Sequence, residues 1–445
     1  MWRPASHSAL MLMLIAQALP AFELTFVRHD IQQNYPRPWS ISAADVDGDS
    51  DIDVVSHAYE GQDISWWENN GSQSFTRHTI ASPILPLDIQ TCDLDGDGDV
   101  DVLAALYGEN RYAWYENDGS GHFTGHTIGN WNGPTRSFVV DLDQDGDMDV
   151  LAVACVGYPF GPDQLEADDL QAGRMGWFEN DGNENFTQHI LKDGWDHANS
   201  VHAADLDADG DLDVIATAGW AHQLCWFEND GNQNFTEHVI ISGWGSPGSA
   251  WAVDLDQDGD VDLLATACNV GQVAWFENDS SHQFTQHIIA SGFQRPHMVR
   301  PADLDQDGDI DLVTTAVYGN EIAWFENQGD QTFVKHVIAG NYSGACGICL
   351  VDLDKDNDVD ILSAGDLGYR ISWWEQVAAG IAEELPTSPR NRGRPTVLSR
   401  SQAGTLPPGC RMLDACGRVV PAAGRPGVYF LQSGGRVVEK VLRLD

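Results

Sequence analysis

Five aspartates within nine residues recur seven times along this chain. In the second copy, DLDGDGDVD, they are Asp93, Asp95, Asp97, Asp99 and Asp101. The first copy holds Asp45, Asp47, Asp49, Asp51 and Asp53, and the third Asp141, Asp143, Asp145, Asp147 and Asp149. The fourth has Asp205, Asp207, Asp209, Asp211 and Asp213, and the fifth Asp254, Asp256, Asp258, Asp260 and Asp262. Asp303, Asp305, Asp307, Asp309 and Asp311 form the sixth; Asp352, Asp354, Asp356, Asp358 and Asp360 form the seventh. Carboxylates this dense repel one another unless a cation lies among them. A hard ion taking about 6–8 oxygen ligands meets that need, and calcium suits it better than magnesium, which keeps its waters. The sequence therefore predicts up to seven calcium ions. Positions one, three and five are expected to give side-chain oxygens, position seven a backbone carbonyl and position nine a bidentate carboxylate. Glycine at position six permits the sharp turn.

The loop is not an EF-hand, which needs glutamate at its twelfth position. Ser56, Ala104, Ala152, Ala216, Ala265, Thr314 and Ser363 stand there instead. Two copies depart at the turn, with Ser50 and Asn357 in place of glycine. Serine tolerates a left-handed backbone less well than asparagine, so the Asp45–Asp53 loop is expected to bind most weakly.

The elements that must hold these loops repeat with them. Successive copies begin 48, 48, 64, 49, 49 and 49 residues apart. Each runs into a short apolar segment such as DVIATAG, then an aromatic one: WWEN at Trp66, WYEN at Trp114, WFEN at Trp177, Trp226, Trp275 and Trp324, and WWEQ at Trp373. An Asn/Asp/Gly turn and an F-x-x-H segment close the unit, as in FTRHTI at Phe75. Four short strands in roughly 49 residues make a propeller blade. Consecutive aromatics point to opposite sides of a strand, so both sides need cover, which stacked blades give. Only six F-x-x-H segments follow an aromatic strand; the seventh, FVRHDI, begins at Phe26 near the front. The N-terminal strand should thus complete the blade that the C-terminal part of the repeat region begins. The expected fold is all-β: a seven-bladed β-propeller with calcium-binding hairpin loops, plus a small C-terminal β-sandwich.

These loops, strands and their count, over residues 22–376, resemble the FG-GAP/VCBS repeat family, whose fold is similar to the integrin α-chain N-terminal propeller. The resemblance implies calcium bound by the loop aspartates in a β-hairpin, a structural role for the metal, and an extracellular binding or adhesion module. The tail, RMLDACGRVV at 411–420 and GVYFLQSGGRVVEKVLRL at 427–444, resembles the C-terminal sorting domain of the bacterial type IX secretion pathway. That resemblance implies outer-surface attachment through residues 396–445.

Composition agrees with export. The chain carries 68 acidic and 23 basic residues, a formal net charge of −45. Nucleic-acid binding is excluded, because it rests on Lys and Arg neutralising phosphates. The acids crowd the repeats, whereas the tail is basic. Residues 1–21 read as a signal peptide: Arg3, an apolar run from Ala9 to Leu19, and small residues at Ala16, Ala18 and Ala21. That run is too short to span a membrane. A Pro/Arg-rich linker, 377–395, precedes the tail. Cys155 and Cys268 read as small buried hydrophobes, Cys346 and Cys349 point to opposite faces of a strand, and Cys410 and Cys416 are the better disulfide candidates.

Strand parity puts the metal loops and the Asn-Asp-Gly turns on one face. Inter-blade connections and the loops between second and third strands lie on the other, where the blades stop resembling one another. Trp39, Trp131, Trp195, His197, Trp244, Arg295, His297 and Tyr342 fall there, as does the insertion after Cys155. They form either a glycan or protein site or plugs for the central channel. The repeated F-x-x-H histidines and Trp-x-Glu-Asn residues read as scaffold. Function is expected to be non-catalytic binding or adhesion, at a bacterial cell surface or in secretion. Two other readings stand beside it. One is a sugar lyase or dehydratase using His197, His297 and Arg295; the other is a structural surface-layer component.

Overall fold

The computed structural model describes residues 24–156, 171–279 and 281–377, together with strand segments 396–398, 410–413, 419–420, 427–433 and 436–443. Two compact units result, Leu24–Gln376 and a second containing Val377–Asp445.

Seven four-stranded antiparallel sheets make up the first unit. Blade one runs through Pro38–Ala44, Asp53–Ala58, Asp63–Asn69 and Phe75–Ala81, from innermost to outermost. Blades two to six repeat this order. Blade seven takes Ala345–Val351, Asp360–Gly365 and Arg370–Val377, and its outermost strand is Thr25–Gln33 from the other end of the repeat region. The closure expected from the sequence is present. Besides strands, the described part of this unit has one 3-10 turn, Tyr107–Glu109.

The core is not one cluster but seven walls, each shared by two neighbouring blades. Trp66 packs into the wall between blades one and two, and Trp67 into the wall between blades seven and one. Consecutive aromatics thus serve opposite walls, as the two-sided strand requires. The second residue of each metal loop is an apolar peg in a wall: Val46, Leu94, Leu142, Leu206, Leu255, Leu304 and Leu353 are at most 3% exposed. Burying one such side chain contributes about 2 kcal/mol, so the loops are anchored by packing as well as by polar contacts.

The F-x-x-H histidines are scaffold by geometry. His78 stacks on Trp66 with centroids 4.6 Å apart, and its Nε2 lies 2.7 Å from Glu68 Oε2. All seven blades repeat this pairing, including His29 with Trp373 and Glu375 across the closure.

In the second unit, five strands run in the order Thr396–Leu398, Arg436–Arg443, Gly427–Ser433, Cys410–Leu413, Val419–Val420. The insertion at 157–170, the leader and linker expectations, and any Cys410–Cys416 bridge lie outside the described residues. Cys92, Cys225, Cys268, Cys346 and Cys349 are free thiols. Among the described residues, no helix is long and apolar enough to cross a membrane.

Candidate metal centres and the axial channel

Each metal loop connects the first and second strands of its blade, and its ninth residue begins the second strand. That places the position-nine carboxylate at the bottom of the loop, fully buried in every blade. In blade two, Asp101 Oδ2 accepts the Leu94 amide at 3.1 Å and Oδ1 accepts the Asn117 amide at 2.8 Å. Asn117 Nδ2 in turn donates to Val100 O of its own loop at 3.0 Å and to Val46 O of blade one at 2.7 Å. The Asn of the Trp-x-Glu-Asn segment therefore joins a loop to its neighbour.

In blades one to five, oxygens from positions one, three and nine lie within 4.8 Å of one another: Asp45, Asp47 and Asp53 in blade one, and the equivalent trios after it. Position five stands apart from this trio. Its carboxylate accepts the position-seven amide, as Asp97 Oδ1 does from Asp99 at 2.9 Å. The position-seven side chain turns away to the hairpin turn, where a Cβ on Gly119 would lie 2.5 Å from Asp99 Oδ2. Glycine there makes room for the carboxylate.

The trio fits a cation on two observations. Buried position-one oxygens have no hydrogen-bond partner in four loops: Oδ1 of Asp45, Asp141, Asp205 and Asp254. Burial also pushes the position-nine carboxyls up, to about 7 for Asp101 and about 8 for Asp360. At position three, burial raises Asp47 and Asp95, with the charges of neighbouring aspartates and of Glu68 or Glu116 adding to it. A desolvated cluster of acceptors held away from its ordinary ionisation is what a bound cation relieves. At the turn, Gly98 has φ +96°, while Ser50 and Asn357 hold +77° and +72°.

The axis of the propeller encloses a cavity of about 380 Å³ lined by the innermost strands of all seven blades. Its lining does not repeat. Asp88 comes from blade two, Arg136 and Phe138 from blade three, Trp251 from blade five, and His297 and Arg300 from blade six. Arg136 Nη1 meets Asp88 Oδ1 at 3.2 Å, and its Nη2 lies 3.3 Å from His297 Nε2. His297 Nδ1 is 3.4 Å from Cys346 O. Burial, then the charges of Arg136 and Arg295, hold the His297 imidazole well below its usual range.

The structure distributes the sequence-predicted ligand face over three environments. Trp131, Trp195 and Trp244 are 2%, 2% and 6% exposed and pack into the walls between blades. Trp195 and Trp244 donate their Nε1–H groups to Gln223 and Gln272. This corrects their reading as a ligand surface: the inter-blade connection drops back into the hydrophobic seam, so a large aromatic there fills space. Tyr342 is buried likewise. His197 stacks on Trp220 at 5.0 Å, and the Arg295 guanidinium lies 4.8 Å over Tyr318. His297 and Trp39 meet edge to face at 4.9 Å beside the channel. Sequence reasoning passed over Asp88, Arg136 and Arg300. Aligning the seven innermost strands would have exposed them, since the other blades put only uncharged residues such as Ser40, Ser200, Met298 and Gly347, or Ser42, Gln90, Trp251 and Cys349, in the same places.

The geometry defines a propeller whose blades each carry an aspartate loop suited to a divalent cation. A profile of the FG-GAP-like repeat matches residues 45–104, 93–152, 205–265, 254–314 and 303–363, more than half of the chain. The chain belongs to this FG-GAP-like repeat family. No curated protein matches it in sequence. Among solved structures it is similar to BBS1N crystallised with ARL6DN and soaked with lead, at 11% identity and TM-score 0.53, covering 79% of this chain and 96% of that one. The mercury-soaked crystal of the same complex gives 12% identity and TM-score 0.51, covering 80% and 98%. A Lactobacillus plantarum protein matches at 11% identity and TM-score 0.46, over 68% of this chain and 86% of its own. At these identities the likeness concerns the fold alone.

Proposed function

We propose that this chain is a secreted or cell-surface, calcium-loaded propeller that binds an extracellular glycan or protein without transforming it. One observation carries the reading. The blades repeat one another in loop, aromatic pair and His–Glu contact, and diverge along the innermost strands and their rim. Repetition builds the scaffold, and a binding site belongs where repetition stops. Positions one, three and nine of each loop would hold calcium, which supplies the positive charge that lets the loops sit beside one another in order. Export rests on the leader-like residues 1–21 and on the sorting-domain resemblance of 396–445, which would attach the protein to the outer surface.

Two measurements on the full chain test this. The first is a thermal melt with excess calcium and with chelator. Each filled site adds about 2.7 kcal/mol at a hundredfold excess over its dissociation constant, so seven sites should raise the melting temperature by many degrees. An unchanged melt would remove calcium from the reading. The second is a glycan and protein array probed with calcium-loaded protein. Saturable binding with the ligand recovered intact supports a binding module; recovery of an unsaturated or dehydrated sugar would replace it with the lyase or dehydratase reading.

A further inference from the structure

We propose that the axial cavity is a binding site for a small hydroxylated organic carboxylate, whose carboxylate pairs with Arg300. The proposal names a ligand class for the binding-module reading and rests on it.

The charges inside the channel are what single it out. In a chain of net charge −45, the cavity lining holds two arginines and one carboxylate. That carboxylate is already engaged. Asp88 takes Arg136 at 3.2 Å, the Ser137 amide at 3.0 Å and the Ser137 hydroxyl at 3.1 Å. Arg300 has no such partner: among the described residues no carboxylate lies within ion-pair distance of it. Its Nη1 donates to Val299 O at 3.0 Å, and its guanidinium carbon stands 4.2 Å over the Trp251 ring. One bond out of five donors leaves a planar fork unsatisfied in a confined site, and such a fork matches a carboxylate in two-point contact. Burial pushes the group down to about 10, and the charge of Arg136 contributes; Arg300 nevertheless remains a cation at neutral pH.

The rest of the lining selects what the carboxylate is attached to. Trp251 and Phe138 of the lining both pack against His202 behind them, in tilted contacts with centroids 4.3 Å apart, and make an apolar wall beside the guanidinium. Ser42, Ser249, Gln90 and Thr91 supply hydroxyl and amide groups on other sides. About 380 Å³ is at the small end of ligand sites, sufficient for one sugar-sized acid and too small for a folded segment. Arg136 is not the anchor, because Asp88 and His297 already occupy its fork.

Calorimetric titration of the calcium-loaded full chain tests the proposal, with D-glucuronate as the probe. D-glucose, the same ring without a carboxylate, and sodium sulfate, an oxyanion without hydroxyls, are the comparisons. Glucuronate is expected to bind at one site per chain, at least tenfold more tightly than either. Arg300→Gln should weaken it about 10- to 100-fold, the range for hydrogen bonds to a charged group. Arg300→Lys, which keeps the charge and loses the fork, should fall between; it serves as the second variant should Arg300→Gln fail to fold. Glucose binding as tightly as glucuronate, or glucuronate binding unchanged in both variants, would overturn the assignment. So would sulfate binding as tightly as glucuronate, because the hydroxyl and aromatic lining would then select nothing. Array binding of neutral glycans without any glucuronate titration would sink this site and leave the binding-module reading standing; absence of both would sink the two together.

Discussion

Asp101 accepts two backbone amides before any cation arrives, whereas Asp97 accepts one at the exposed tip of the same loop. The two carboxylates should therefore respond differently to the same loss of charge. Asn at position nine turns a donor toward one of the amides and leaves it unpaired in a buried place, which costs about 1–3 kcal/mol. Asp101→Asn is expected to lower stability by at least that much in excess calcium, because a ligand of the proposed site is lost as well, and Asp97→Asn by less than about 0.5 kcal/mol. Denaturant unfolding of both variants decides it; equal losses would return position five to the ligand set that the sequence predicted. His202 gives a pH prediction at the same scale. Burial, and then the charge of Arg300, push its imidazole down to about 3. The unfolded chain binds a proton near pH ~6.5, the folded one only near 3, so between these values the unfolded state holds more protons. Stability then falls as pH falls, by up to ~1.4 kcal/mol per unit for this one group, and the loss ends below the folded value. His202→Phe keeps a ring between Phe138 and Trp251 and removes the proton. Its unfolding free energy should lose less than the wild type's between pH 6.5 and 4.5 at matched calcium; parallel profiles would mean that His202 is protonated without unfolding.

In blades three, five, six and seven the aspartate loop also reaches the next one. Position-four side chains donate to position-six carbonyls of the following blade: Gln144 to Gly210 at 2.7 Å, Gln257 to Gly308 at 2.6 Å and Gln306 to Asn357 at 2.7 Å. Lys355 of blade seven does the same to Ser50 of blade one, and its ammonium lies 2.7 Å from Asp51 Oδ1. The expectation of weak binding at the blade-one loop rests in sequence only on Ser50. The lysine on its carbonyl was not, because that contact joins residues 304 apart and exists only once the ring closes. Both features act on one hairpin but by different physics. Ser50 carries backbone strain at φ +77°, which glycine would relieve by roughly 1 kcal/mol. Ser50→Gly should therefore stabilise the protein with calcium or chelator alike and tighten the weakest step of a calcium titration. A variant whose weakest step is unmoved would place the weakness of that loop, if it has one, on Lys355 instead.

At the scale of the whole ring, what repeats was legible and what differs was not. Loop, aromatic pair and closing F-x-x-H strand each occur seven times, so periodicity revealed blade number and closure. Arg136, Arg300 and Asp88 each occur once, on different repeats, and only the ring brings them to one axis. Trp131, Trp195 and Trp244 misled for a related reason: sequence marks them as non-repeating, yet the seams between blades also vary and absorb them. Closure itself is the feature most exposed to test. Thr25–Gln33 covers the outer edge of Arg370–Val377, with His29 on Glu375 at 2.7 Å and Ser372 on Asp30 at 2.8 Å. Without it, blade seven ends on a strand bearing Trp373 and Trp374, with a free row of backbone donors and acceptors that invites another chain to pair. A chain lacking residues 25–33 should associate with rising concentration and melt earlier, and a peptide of those residues added in trans should reverse both. His29→Gln keeps the strand and loses one stacked pair, so it should remain monomeric and nearly as stable as the wild type. The two variants separate the backbone ladder from the side-chain contact: sedimentation showing the truncated chain monomeric, with an unshifted melt, would mean that three strands suffice for blade seven and that the N-terminal strand does not hold the ring shut.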